Sequence, residues 1–161
     1  MSPTLTTTFD SVDELLAHAR RSLRRLDVDQ TVQALAGGAK LVDIRPVWQR
    51  AAEGEIDGSL IIERNHLEWR LHPHSAARLP SAVAGQRWIV ICSEGYTSSL
   101  AAAALGSLGV EATDLVGGVQ AWRAAGRPLV GGPTPVECFV GQTDPADRWT
   151  AVGPARQILG H

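Results

Sequence analysis

Apolar positions recur first at helical spacing and later in short unbroken runs, and that change of period divides the chain into elements. Ser11 and Glu14 have the spacing of a capping box, and Val12, Leu15, Leu16, Ala19 and Leu23 follow on one face. An amphipathic helix is therefore expected from about Val12 to Leu23. Its other side gathers Arg20, Arg21, Arg24 and Arg25, which read as a solvated face near a helix C-terminus, where cations complement the dipole. After Asp27 and Asp29, Thr31 to Ala36 reads as a short helix stopped by Gly37-Gly38 in a left-handed ending.

From Lys40 onward short apolar runs alternate with helical patterns. Lys40 to Ile44, Ser59 to Ile62, Trp88 to Ile91 and Thr113 to Val116 are expected strands. Helical segments are expected at about Leu67, from Ser99 to Leu108 and from Val119 to Ala125. Continuous apolar strands separated by helices predict an α/β fold, a central parallel sheet flanked by helices on both faces. Such sheets bind ligands at the carboxyl ends of their strands.

Cys92 stands at one of those ends. The run Trp88 to Ile91 leads into Cys92-Ser93-Glu94-Gly95-Tyr96-Thr97-Ser98, and a small-residue helix pattern begins at Ser99. A strand-to-helix turn of this kind directs backbone N–H groups into a concavity at the positive end of a helix dipole, which favours a thiolate or a bound anion. Gly95 permits backbone geometry that other residues resist, and Thr97 and Ser98 can cap the helix. A buried, inert cysteine is the competing reading.

Glu94 complicates this loop, because a carboxylate there disfavours the thiolate and repels an anionic substrate unless a cation offsets it. Arg45, Arg50 and Arg64 follow expected strand ends and are the candidates, as substrate contacts or as ion-pair partners of Glu94. His66, His72 and His74 crowd one segment without metal-ligand spacing, so no metal is expected.

The chain has 161 residues, enough for one domain with extras. The 15 basic and 17 acidic residues nearly balance, which gives no electrostatic reason to expect nucleic acid or a membrane surface as partner. Two cysteines, Cys92 and Cys138, are too few for a disulfide framework, and residues Met1 to Asp10 lack the pattern of a signal peptide. A cytoplasmic, reduced protein without a transmembrane segment is expected. Gly131 to Pro135 reads as a linker, and Phe139, Trp149, Ile158 and Leu159 suggest that the tail beyond it packs on the domain. The expected division is 1–30 as an N-terminal extension, 31–130 as the core domain and 131–161 as the packed tail.

Four ordered motifs resemble the single-domain rhodaneses, sulfurtransferases that carry sulfur as a cysteine persulfide. Leu41-Val42-Asp43-Ile44-Arg45 resembles the family's first core strand with its Asp-x-Arg ending, and Gly54-Glu55-Ile56-Asp57-Gly58-Ser59 resembles its Gly-His-Ile-x-Gly-Ala/Ser element, with Glu55 in place of the histidine. Cys92 to Ser98 resembles the active loop, and Leu115 to Pro128 resembles the closing Gly-Gly, Ala-Trp and Ala-Gly-x-Pro signature. The resemblance runs from about Thr31 to Leu129. It implies a rhodanese-like fold in which the Cys92 thiolate takes the outer sulfur of a small anionic donor, with thiosulfate and a mercaptopyruvate-like donor both open. The persulfide would pass to a thiol, cyanide or protein acceptor, with no cofactor. Ser93, Glu94, Gly95, Tyr96, Thr97 and Ser98 would line the donor site, and Asp43 would be structural.

Three other functions compete. A cysteine-dependent phosphatase closes its loop with an arginine, and Ser98 stands at that position. A thiol redox protein would use Cys138 to resolve an oxidised Cys92. A regulatory binding module would not require the cysteine, which is present.

Overall fold

A computed structural model describes residues 5–141. Trp149, Ile158 and Leu159 of the expected tail lie outside that range. Four strands, β1 (Lys40–Asp43), β2 (Leu60–Ile61), β3 (Arg87–Ile91) and β4 (Glu111–Asp114), form an all-parallel sheet in the order β2-β1-β3-β4. Asp43 lies opposite Ile91, and Val90 opposite Asp114, so the strand ends carrying Asp43, Cys92 and Asp114 are level.

Alternation along the strands divides the core. Val42, Leu60, Trp88 and Val90 face one layer, where α4 (Leu67–Leu71) and α5 (Thr97–Gly106) contribute Leu67, Leu71, Ala101 and Leu105. Leu41, Ile89 and Ile91 face the other layer, with α2 (Val28–Ala36) and α6 (Gly118–Ala124) contributing Val32, Val119 and Trp122. Helices thus cover both faces, which is why Leu41-Val42 in β1 and Trp88 to Ile91 in β3 read as apolar without alternation. Among the described residues no helix is long and apolar enough to cross a membrane.

Several expected boundaries move. The first helix, α1 (Val12–Arg20), ends three residues early, and Ser11 caps it by accepting the Glu14 N–H at 3.1 Å. Asp27, read as a break, instead caps α2 in a reciprocal pair with Gln30, so that helix starts at Val28. A helix the apolar pattern did not predict, α3 (Val47–Glu53), follows Pro46 and ends at Gly54, whose φ of 85° is left-handed.

Residues beyond Leu129 run back along the β2 edge. The Glu55 and Val130 backbones exchange hydrogen bonds, and Ile61 N–H donates to Cys138 O at 3.1 Å. Arg50 joins this seam, donating to Glu55 Oε2 at 2.8 Å and Thr134 O at 2.7 Å. Arg70 pairs with Glu137 at 3.0 Å between α4 and the same segment. Burial pushes the Glu137 carboxyl up and the Arg70 guanidinium down, and their mutual attraction opposes both shifts.

Candidate functional site

Cys92 is the first residue after β3, only 5% exposed, and its sulfur accepts the Gly95 N–H at 3.2 Å. A backbone donor on sulfur stabilises negative charge there. The loop is anchored from below by α6. Val119 N–H donates to Cys92 O at 2.9 Å and Gln120 N–H to Ser93 O at 3.0 Å. These bonds need Gly117 and Gly118, both left-handed at φ of 76° and 59°.

The outer side is held by two arginines from the N-terminal segment. Arg20 Nη2 donates to Gly95 O at 2.7 Å and Arg25 Nη2 to the same oxygen at 3.0 Å. In a trans peptide the carbonyl and the following N–H point in opposite directions. Fixing Gly95 O outward therefore turns the Tyr96 N–H inward. Arg25 also grips Asp114 with Nε and Nη2 at 2.8 and 3.1 Å. Asp114 is fully buried and accepts the Ser98 and Ser99 hydroxyls at 2.8 and 2.7 Å.

These contacts correct three expectations. Arg20 and Arg25 do not form a solvated face, because the carbonyl of Gly95 and the carboxylate of Asp114 draw them onto the loop. Ser98 does not cap α5, since Asp114 takes its hydroxyl, and Tyr96 occupies the cap position without a side-chain bond. Nor is Glu94 paired with Arg45, Arg50 or Arg64. Arg45 is bound to Asp43 at 2.7 Å, Arg50 to Glu55 at 2.8 Å and Arg64 to Glu68 at 2.7 Å, whereas Glu94 faces solvent. Thr97 and Tyr96 are exposed beside it, and Arg20 lies over the Tyr96 ring at 5.8 Å.

Arg45 remains near the site, and it meets a residue the sequence reading missed. Glu53 Oε2 accepts Ser93 Oγ at 2.7 Å and Gln120 Nε2 at 2.6 Å, and lies 3.7 Å from Arg45 Nη1. The Pro46 and Gly54 punctuation could have revealed α3 and hence Glu53. Asp114 could have been noticed as a carboxylate inside a strand pattern. Arg20 and Arg25 reach the loop over 75 and 70 positions of separation, and no local signal marks them.

The pairing of Cys138 with Cys92 does not fit the topology. Cys138 lies outside β2, and β2 and β1 separate it from β3. Three strand spacings amount to about 14 Å, twice what a disulfide spans between Cα atoms.

Arg20→Met is expected to slow Cys92 modification severalfold while costing only about 1–2 kcal/mol, since one charged donor to Gly95 O is lost and Arg25 remains. Alkylation rates beside a denaturant melt would check this. An unchanged rate would show that Arg20 does not orient the loop.

A parallel sheet presenting a cysteine loop at the carboxyl end of a central strand, floored by a Gly-Gly helix start, defines the class. The family model for the rhodanese-like domain matches residues 27–125, and the chain belongs to that family. No curated protein matches the chain. A protein of unknown function from Rhodopseudomonas palustris, described as a possible tyrosine phosphatase, is 27% identical with a TM-score of 0.69, over 79% of this chain and 99% of that one. A rhodanese-related protein from Thermoplasma volcanium is 24% identical with a TM-score of 0.54, over 66% and 97% of the two chains. A thiosulfate sulfurtransferase from Pseudomonas aeruginosa is 24% identical with a TM-score of 0.52, over 70% of this chain and 20% of that one.

Proposed function

We propose that this protein is a sulfurtransferase that carries sulfane sulfur as a persulfide on Cys92. The observation that carries the reading is the Gly95 N–H on the Cys92 sulfur, in a loop whose Gly95 carbonyl is turned outward by Arg20 and Arg25. Such a loop favours the anionic forms of the sulfur and of a donor's leaving group. The thiolate attacks the outer sulfur of thiosulfate, forming the S–S bond of the persulfide as the bond to the sulfite sulfur breaks and sulfite leaves with the electron pair. An acceptor such as cyanide then attacks the terminal sulfur, leaving as thiocyanate and restoring the thiolate. With 3-mercaptopyruvate the bond between its sulfur and methylene carbon breaks instead, the carbon keeping the electron pair as an enolate and taking up the thiol proton to leave as pyruvate.

The likeness to the Rhodopseudomonas palustris protein raises phosphoryl transfer as a second reading. Among the described residues no cation sits inside the loop to support it. Ser98 turns its hydroxyl to Asp114, and Arg20 and Arg25 spend their donors on Gly95 O, Ser99 and Asp114. A phosphoryl transition state would miss its main stabilising charge.

Incubating the purified protein with thiosulfate or 3-mercaptopyruvate is expected to add one sulfur by intact mass, and Cys92→Ser to abolish the gain. No gain with either donor, or an equal gain in the variant, would overturn the proposal. Turnover of an aryl phosphate that depends on Cys92 would favour the phosphatase reading instead.

A further inference from the structure

Glu53 closes α3, and one oxygen of its carboxylate collects donors from three separate elements. Ser93 Oγ comes from the cysteine loop at 2.7 Å, Gln120 Nε2 from α6 at 2.6 Å, and Arg45 Nη1 from the end of β1 lies 3.7 Å away. The two neutral donors are themselves 3.3 Å apart, so they converge on one point. Arg45 has a fully buried side chain, and its Nη1 has no hydrogen-bond partner among the described residues, while Nε and Nη2 are satisfied by Asp43 and Gly54 O. An unsatisfied buried guanidinium N–H is costly and calls for an explanation. Three donors around one oxyanion, one of them unfilled, describe an anion site whose occupant belongs to the chain itself.

We propose that the Glu53 carboxylate sits in a seat for an oxyanion, made by Arg45 Nη1, Ser93 Oγ and Gln120 Nε2, and that the sulfonate or carboxylate end of a sulfur donor displaces it. The identity of that ligand rests on the sulfur-transfer reading; the seat itself does not. Glu53 can leave without moving the helix. Its side chain is 15% exposed at the surface, and the Arg123 guanidinium holds its backbone carbonyl rather than its carboxylate. With Glu53 in place the seat is negative, since Asp43 already balances Arg45, and an arriving anion must first compete with a tethered carboxylate. With Glu53 turned out, the same three donors are left for a ligand, and one of them, Ser93, directly follows Cys92 in the chain. A specificity device follows, in which donors lacking an oxyanion gain nothing at this position.

Alkylation of Cys92 tests the seat without any sulfur chemistry. Iodoacetate carries a carboxylate and iodoacetamide does not, so the ratio of their rates reports anion acceptance. Glu53→Gln is expected to raise that ratio about tenfold, and Glu53→Ala, which vacates the seat, to move it in the same direction. Glu94→Gln, an exposed charge in the same loop, is expected to change it about twofold or less. Adding Ser93→Ala to Glu53→Gln should remove most of the gain. An unchanged ratio in both Glu53 variants, or a Glu94→Gln effect as large as theirs, would overturn the seat. In Glu53→Gln, stronger protection against iodoacetamide by methanesulfonate than by acetate assigns a sulfonate donor, the reverse a carboxylate donor, and protection by neither overturns the proposal. If the seat passes these tests and sulfur loading fails, the sulfur-transfer reading falls alone.

Discussion

Asp114→Ala is expected to cost about 3–5 kcal/mol and to disable the cysteine loop, because it removes the acceptor of a buried charged network. The carboxylate is wholly buried and receives Arg25 at 2.8 and 3.1 Å, Ser98 at 2.8 Å and Ser99 at 2.7 Å. Alanine would leave a guanidinium and two buried hydroxyls without their acceptor, and each such group carries its own desolvation cost. The loss also spreads to the loop, since Arg25 donates to Gly95 O as well as to Asp114. Asparagine would keep one acceptor oxygen but present an amide to donors, so Asp114→Asn should fall between the parent and the alanine variant. Denaturant unfolding together with sulfur loading of Cys92 would check this. Stability within about 1 kcal/mol of the parent, with normal loading, would mean that the network does not hold the loop.

Burial on both faces decides how much of such a fold can be read from sequence. The expected strands at β1 and β3 are legible because Leu41-Val42 and Trp88 to Ile91 alternate between two helix layers, so successive residues are apolar on both faces. The edge strand β4 was displaced by two residues for the opposite reason. Glu111 to Asp114 contains little apolar material, while the apolar Leu115 that drew the expected strand forward packs under α6 after the strand has ended. Helix α3 left no apolar stripe at all. Val47 and Trp48 are exposed, and the residue it buries is Arg50, matched by Glu55 in the position where the family carries histidine. Two charged residues satisfying each other in the interior are invisible to a hydrophobicity pattern, because each reads alone as surface.

The candidate site divides along the same line. Cys92, Gly95 and the loop between them were legible because strand, turn and helix are contiguous in the chain, and local rules cover all three. What orients the loop is not contiguous. Arg20 and Arg25 arrive from a segment expected to be an extension, Glu53 from the unrecognised helix and Gln120 from α6. Arg45, Arg50 and Arg64, at or just after strand ends, are the local candidates to offset Glu94. Those arginines are committed to Asp43, Glu55 and Glu68, and the charge delivered to the loop comes from elsewhere. Arg20 and Arg25 bind Gly95 O and Asp114 rather than the Glu94 carboxylate, which faces solvent.

Gly118→Ala is expected to cost about 2–4 kcal/mol and to slow sulfur loading at least tenfold, a cost set by contact more than by backbone conformation. A Cβ at this position would collide with Cys92 O and stand 2.6 Å from Ser93 O and 2.8 Å from the Ser93 carbonyl carbon. These are main-chain atoms, so no rotamer change relieves the clash. The loop must lift, and lifting it breaks the bonds from Val119 and Gln120 N–H that seat those same carbonyls. Gly58→Ala separates the two contributions. Gly58 also has a left-handed φ, 81°, but nothing lies within 4 Å of its added Cβ, so it should lose only the conformational cost of about 1–2 kcal/mol and leave loading unchanged. If the two variants behave alike in stability and loading, close packing of α6 beneath the cysteine loop does not determine the site. If only Gly118→Ala loses loading, the Gly-Gly start of α6 is the floor on which Cys92 is set.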